Sequence, residues 1–224
     1  VDFDQDKYGR IWFVSGEGIS VFHDNKFEYF RDLNLTETVI AAGVSQDKLY
    51  LATKEKLLFV DLNSNQQAVT EIWQAPAATQ IHQLLFSKSA LVGHHLWLVT
   101  NKGVYQMPKA HRLRPQQLTL FQAFALDSPL PKTYSSAEGL YLVEEQQLSF
   151  YSLAEASWQK LGLPQRIKQL IQVQDELVAL DDSGNVLRFN FTKQQGDPEP
   201  EKLSRVEALF TSGSGFLFQK GQSL

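Results

Sequence analysis

One pattern recurs along the chain and limits what it can fold into. An apolar triplet with a bulky or aromatic centre occurs six times: Ile11-Trp12-Phe13, Leu49-Tyr50-Leu51, Leu96-Trp97-Leu98, Leu140-Tyr141-Leu142, Leu177-Val178-Ala179 and Phe216-Leu217-Phe218. The central residues stand 38, 47, 44, 37 and 39 positions apart. Spacings averaging about 41 match the roughly 40–50 residues of one β-propeller blade.

Each triplet lies between polar turns. Asp6-Lys7-Tyr8-Gly9, Gln46-Asp47-Lys48, Gly93-His94-His95 and Ser212-Gly213-Ser214-Gly215 precede triplets. Ser15-Gly16-Glu17-Gly18, Lys54-Glu55-Lys56, Asn101-Lys102-Gly103 and Asp181-Asp182-Ser183-Gly184 follow them. A second alternating run comes next, such as Ile19-Ser20-Val21-Phe22 or Val104-Tyr105-Gln106-Met107. Short β-branched and aromatic runs bounded by Gly, Asn, Asp and Ser are hairpin signals. A further run opens the unit (Val39–Val44, His82–Phe86, Lys168–Val173, Val206–Phe210), and a looser one closes it (Phe27–Phe30, Val69–Trp73, Leu118–Phe121, Trp158–Leu161). Four strands per unit make one propeller blade. Ala41, Ala42 and Gly43 suit an innermost strand, where chains crowd together.

The predicted fold is therefore all-β: a β-propeller segment of four-stranded antiparallel blades, at least five of them with a partial sixth, read as a single domain over residues 1–224. No long stretch keeps apolar residues at helical spacing behind a cap, and Leu153–Ser157 offers a single turn at most. Gln194–Pro200 and Pro129–Pro131 read as loops. The sixth unit reaches Leu224 inside its expected third strand. An open fan of blades exposes apolar faces at its ends, so the natural chain is expected to continue past Leu224 and to begin before Val1.

Composition narrows the function. The chain has 224 residues, is 43% hydrophobic and carries a net charge of −4. It can build a core, and it lacks the strongly basic face of an electrostatic nucleic-acid binder. With no cysteine, disulfides, thiolate metal sites and cysteine nucleophiles are excluded. Apolar runs of about four to six residues fall far short of the roughly 20 of a membrane helix.

The first unit, Asp6 to Phe22, resembles the two-component regulator propeller repeat, D-x-x-G-x-[IL]-W-[IVF]-x-[ST]-x-x-G-[LI]-x-x-[FY], with every specified position matched. The third unit keeps Leu96-Trp97-Leu98-Val99-Thr100-Asn101-Lys102-Gly103-Val104-Tyr105. The second keeps Leu49–Thr53 but has Lys56 in the glycine position, and the later units are degenerate. The resemblance implies the periplasmic, ligand-binding sensor region of a bacterial receptor, without enzymatic activity of its own. It further implies a membrane-anchored whole that can dimerise, with a histidine kinase or diguanylate cyclase as output. The runner-up is a protein-interaction scaffold, and a propeller glycosidase or lyase comes third. The partner is then a small polar ligand or a partner domain, with no nucleic acid and no cofactor.

Other chemistry is weak. Asp4–Gly9 resembles a calcium loop in part, but Tyr8 and Ser15 stand where its third oxygen ligand and bidentate Glu belong, so it reads as a hairpin turn. His94 and His95 are strand neighbours and point to opposite faces, so they cannot share one ion. Trp12 and Trp97 occupy equivalent positions and are expected to pack between blades; Trp73 and Trp158 fall in outer strands. The candidate binding residues lie in the loop between second and third strands, expected beside the blade-linking loops: Glu17, Lys54, Glu55, Lys102, Glu144, Glu145, Asp182 and Lys220. Charges of both signs there suit a polar or zwitterionic ligand, because an apolar ligand wants an apolar concave pocket.

Overall fold

A computed structural model describes residues 2–6, 8–15, 18–30, 37–45, 47–63, 69–89, 93–108, 118–124, 130–144, 147–162, 167–173, 176–189, 200–201, 206–212 and 215–220. These residues form strands and turns, with no helix among them. They fall into two compact units.

The first unit comprises Val1–Phe86 and Gly93–Pro129. Its first blade is β1 (Asp2–Gln5), β2 (Ile11–Ser15), β3 (Gly18–His23) and β4 (Lys26–Phe30). The second is β5 (Ala41–Ser45), β6 (Lys48–Ala52), β7 (Lys56–Asp61) and β8 (Val69–Gln74). The third is β9 (Ile81–Ser89), β10 (Gly93–Thr100), β11 (Gly103–Pro108) and β12 (Thr119–Ala123), the residues of β9 beyond Phe86 grouping with the second unit.

The second unit comprises Ser87–Val92 and Leu130–Leu224. Its fourth blade is β13 (Lys132–Ser136), β14 (Gly139–Glu144), β15 (Gln147–Ser152) and β16 (Ser157–Gly162). The fifth is β17 (Ile167–Val173), β18 (Glu176–Asp181), β19 (Val186–Phe189) and β20 (Pro200–Glu201). The pair β21 (Val206–Ser212) and β22 (Gly215–Lys220) follows. Strands pair antiparallel in chain order within each sheet.

All six triplets occupy second strands, as their spacing requires. Two first strands escape the sequence pattern. β1 (DFDQ) and β13 (KTYSS) are too polar to register as apolar runs, yet Thr133 and Ser136 are buried. Pro200, expected in a loop, pairs with Leu187 at the outer edge of its sheet, where a missing N–H is tolerated. β3 and β4 are joined through Asp24 and Asn25, both at positive φ (49° and 61°), as a two-residue primed hairpin turn requires.

Alternation along the second strand sets the packing. In β2, Trp12 and Val14 are buried while Ile11, Phe13 and Ser15 are partly exposed. Trp12, Val14, Ile19 and Val21 pack on Val44, Leu49, Leu51, Leu58 and Val60 of the second blade. The other face of that blade, with Ala41, Tyr50, Ala52 and Leu57, packs on Leu84, Leu96, Leu98 and Met107 of the third. In the second unit, Tyr141, Val143, Leu148 and Phe150 meet Leu177, Ala179, Leu187 and Phe189 in the same way. In the second and fifth blades the central residue of the triplet thus faces one neighbour and its flanks face the other. Gly43 shows how closely inner strands approach: a β-carbon there would overlap the Phe86 ring. Trp73 and Trp158, expected in outer strands, lie half-buried in β8 and β16; Trp73 packs on Tyr105 of the third blade (5.1 Å) and Trp158 on Tyr151 of its own (5.3 Å).

The Asp6 turn is structural, as read from the sequence. Its carboxylate accepts the Tyr8 N–H (2.9 Å), the Arg10 N–H (3.0 Å), the Arg10 Nε–H (2.6 Å) and the Trp12 indole N–H (3.0 Å). Asp4 is committed as well, its Oδ2 accepting the Val44 N–H (2.7 Å) between two inner strands. The same five-residue turn recurs at a different hairpin. Asp181 accepts the Ser183 N–H, the Asn185 N–H and the Asn185 Nδ2–H, and Gly9 and Gly184 share φ values of 81° and 82°.

Trp12 and Trp97 are 4% and 0% exposed. Truncating either to Ala is expected to cost roughly 3–5 kcal/mol, the usual range for a large core aromatic, and denaturant melts of the two variants measure it. The Asp6 turn also generates an acid dependence. Burial pushes the Asp6 carboxyl up, but its hydrogen bonds from Trp12, Arg10 and Tyr8 together outweigh this and hold it below the ordinary value of 3.8. The folded value is depressed, so the contribution is present at neutral pH and is lost as the solution is acidified below the usual carboxylate range. Asp6→Asn should lower the neutral-pH melting temperature and flatten its fall between about pH 5 and pH 2. An acid titration of melting temperature, followed by tryptophan fluorescence, reads both effects.

Candidate functional site

The hairpins between second and third strands are built by short polar side chains. In the second blade the Thr53 hydroxyl accepts the Glu55 N–H (3.3 Å) and the Lys56 N–H (3.0 Å). In the third blade Thr100 accepts the Lys102 and Gly103 N–H groups (both 3.1 Å) and donates to the Gly103 carbonyl (2.8 Å). Ser15 occupies the same place in the first blade, and Asp181 takes it over in the fifth. The [ST]-x-x-G of the repeat is thus a side-chain-capped turn. In the second blade Lys56 replaces the glycine without adopting positive φ, whereas Gly103 has φ 153° and no room for a β-carbon beside Ala123.

These hairpins lie beside the blade-linking segment, as the sequence suggested. Ala75 N–H donates to the Glu55 carbonyl (2.7 Å) and Ile81 N–H to the Lys54 carbonyl (2.8 Å). Asn101 N–H donates to the Gln80 carbonyl (3.0 Å), and Phe124 N–H to the Lys102 carbonyl (3.0 Å). Lys54, Glu55 and Lys102 therefore gather at one end of the first unit, the first two exposed and Lys102 half-exposed. In the second unit Glu144 is exposed at the end of β14, where it pairs with Gln147 of β15, and Asp182 is exposed in the Asp181 turn. Lys220 is the last residue of β22, at the end of a strand instead of in a loop. Glu17 and Glu145 lie outside the described residues.

Three residues at this end carry structure that no local motif announces. Asn101 brackets the linking segment: its Oδ1 accepts the Gln80 N–H (2.8 Å) and its Nδ2 donates to the Ala78 carbonyl (3.2 Å). Ala78 itself has positive φ (59°), a conformation that needs holding. Lys56 pairs with Glu37 (3.1 Å) and Glu71 (3.4 Å). Hydrogen bonds from Thr53 and then Lys56 hold the Glu37 carboxyl below its ordinary value, and Glu37 and Glu71 in turn push the Lys56 ammonium up. An asparagine in a turn reads as a turn residue, and Glu37 and Glu71 are too far from Lys56 in sequence to be linked to it before folding.

The histidines behave as strand geometry requires. His94 Nδ1 is 2.9 Å from the Ser45 hydroxyl on β5, while His95 lies 3.1 Å from Gln106 Nε2 and stacks near Trp97. Ser45 is fully buried, while His94 is partly exposed. Among the described residues no group of three or more His, Asp or Glu is placed to hold a metal ion.

No family model and no curated protein sequence matches the chain. Solved structures do. BBS1N in complex with ARL6DN superposes at a TM-score of 0.60 with 15% identity, over 94% of this chain and 72% of that one. The extracellular domain of the putative hybrid two component system BT4673 from B. thetaiotaomicron gives 0.59 with 13% identity, over 97% of this chain and 33% of that one. Virginiamycin B lyase from Staphylococcus aureus gives 0.59 with 14% identity, over 98% and 76%. At such identities the likeness shows the fold alone: this chain is a segment of a β-propeller with four-stranded antiparallel blades.

The bracket at Asn101 makes a local prediction. Asn101→Ala should speed amide hydrogen exchange at Gln80 at least tenfold and lower global stability by only about 1 kcal/mol, the net worth of a partly exposed hydrogen bond or two. Residue-resolved exchange on the variant and the parent compares Gln80 with the β10 core.

Proposed function

We propose that this chain is a non-enzymatic recognition propeller, the sensing region of a bacterial extracytoplasmic receptor of the two-component type. Its ligand-facing end in the first unit carries Lys54, Glu55 and Lys102. The observation that carries this reading is the fastening of the two hairpins to the linking segment through Lys54, Glu55, Gln80, Asn101 and Lys102. Backbone hydrogen bonds hold the tips, while their charged side chains stay available to solvent. Rigid loops with free polar side chains lower the ordering cost of binding.

The resemblance of the first and third units to the sensor repeat supports the receptor assignment, as does the structural likeness to an extracellular two-component domain. The residues also suit binding better than chemistry. The carboxylate most committed to hydrogen bonds, Asp6, is consumed in its turn, and the hydroxyl of Ser45 beside His94 is buried. A small ligand bearing both a carboxylate and an ammonium or hydroxyl group matches the mixed charges of the first unit's end. In the second unit Glu144 and Asp182 are the corresponding candidates, with Glu17, Glu145 and Lys220 kept as part of the same proposal.

A thermal-shift screen with amino acids, short peptides and dicarboxylates tests the reading. For any hit, Lys54→Ala and Lys102→Ala should each weaken binding at least fivefold, about 1 kcal/mol, with melting temperatures of the free variants unchanged. A ligand whose affinity ignores both changes, and Asp182→Ala as well, binds elsewhere and overturns the site.

A further inference from the structure

The segment that links the second blade to the third is fastened along its length. Its two ends are tied to successive carbonyls of one hairpin, the Ala75 N–H to Glu55 (2.7 Å) and the Ile81 N–H to Lys54 (2.8 Å). Between them the Thr79 N–H donates to the Pro76 carbonyl (3.0 Å), closing a turn whose third residue, Ala78, has φ 59°. That position favours glycine or asparagine, so an alanine there is strained. Asn101 of the next hairpin clamps Gln80 through both of its backbone groups. Its Oδ1 accepts the Gln80 N–H (2.8 Å), and its own N–H donates to the Gln80 carbonyl (3.0 Å). Strain that surrounding hydrogen bonds hold in place clusters at ligand sites.

The clamp leaves the Gln80 side chain out. Burial alternates along this stretch: Thr79 and Ile81 are buried, while Gln80 and His82 are exposed and leave the chain on the opposite side. The Gln80 amide group makes no hydrogen bond among the described residues. Its position follows from its neighbours. Ile81 is bonded to Lys54, and Gln80 itself to Asn101, the residue before Lys102. Gln80 therefore stands between the Lys54 and Lys102 hairpins, with Glu55 beside Lys54 on the first of them. The segment entering the second blade carries Val39, Ile40 and Ala41 instead, and none of these side chains can form a hydrogen bond.

We propose that Gln80 is a ligand-contacting residue and that the ligand of this end is a free α-amino acid. The proposal rests on the reading of this end as ligand-facing, and it names the ligand class. A carboxylate offers about four lone-pair sites on its two oxygens. Lys54 and Lys102 supply charged donors to it, and the Gln80 amide nitrogen supplies a neutral, directional one between them. Glu55 takes the α-ammonium group. Because the Gln80 backbone is already fixed at both N–H and C=O, only side-chain rotamers remain to be ordered on binding.

Gln80 makes its structural bonds through the backbone, so Gln80→Glu and Gln80→Ala should leave the melting temperature of the free protein unchanged. Each common L-amino acid is titrated calorimetrically into the intact protein. At least one should bind. Gln80→Glu, which sets a like charge against the carboxylate, should weaken that binding about tenfold or more, and Gln80→Ala about threefold. The same amino acid with its carboxylate capped as a primary amide should bind about tenfold more weakly. An amino acid whose affinity falls with Lys54→Ala and Lys102→Ala but ignores both Gln80 variants leaves the ligand-facing end standing and overturns the role of Gln80. Binding of no amino acid overturns the proposal as well. A hit of another chemical class that is sensitive to Lys54→Ala then separates this failure from failure of the end itself.

Discussion

Burial of the triplet between neighbouring sheets is the constraint on which the rest depends. A single four-stranded sheet has two faces, and period-two alternation makes both of them apolar here: Trp12 and Val14 to one side, Ile11 and Phe13 to the other. Such a sheet cannot stand alone in water. It becomes stable when its neighbours cover it, as Leu49 and Leu51 do for Trp12, and Leu96 and Leu98 do for Tyr50. Burying a large aromatic side chain in this way contributes on the order of 2–3 kcal/mol, repeated at each interface.

Because the sheets carry the stability, the hairpins are released for other work. Their conformation is set by single side chains: Thr53, Thr100 and Asp181 each accept two backbone N–H groups and fix the turn. Lys54 and Glu55 lend their carbonyls to the linking segment and leave their side chains in solvent. That division between backbone, which holds, and side chain, which is presented, is what a binding surface on a repeat protein requires.

How much of this was legible from residues alone varies with the range of the interaction. The six second strands, the D-x-x-G turn, the burial of Trp12 and Trp97, and the opposite orientations of His94 and His95 were all readable, because each follows from a pattern within a few positions. The first strands of the first and fourth blades were not, since innermost strands can be polar where their backbone does the pairing. The Asp6 turn was recognisable as a turn, but not as the anchor of the Trp12 indole.

The sequence by itself determined the period, the strand order within each blade and the turn chemistry, because alternation, spacing and capping are local properties of the chain. Tertiary structure alone decided which side chains are shared between strands far apart in sequence. It brought the Phe86 ring against Gly43, Lys56 between Glu37 and Glu71, and Asn101 onto the segment at Ala78–Gln80. It also decided that Phe27, beside the Phe22 ring, would remain exposed. The pattern of a strand states that a residue is apolar and which way it points; whether another sheet lies there to meet it depends on the packing of the blades.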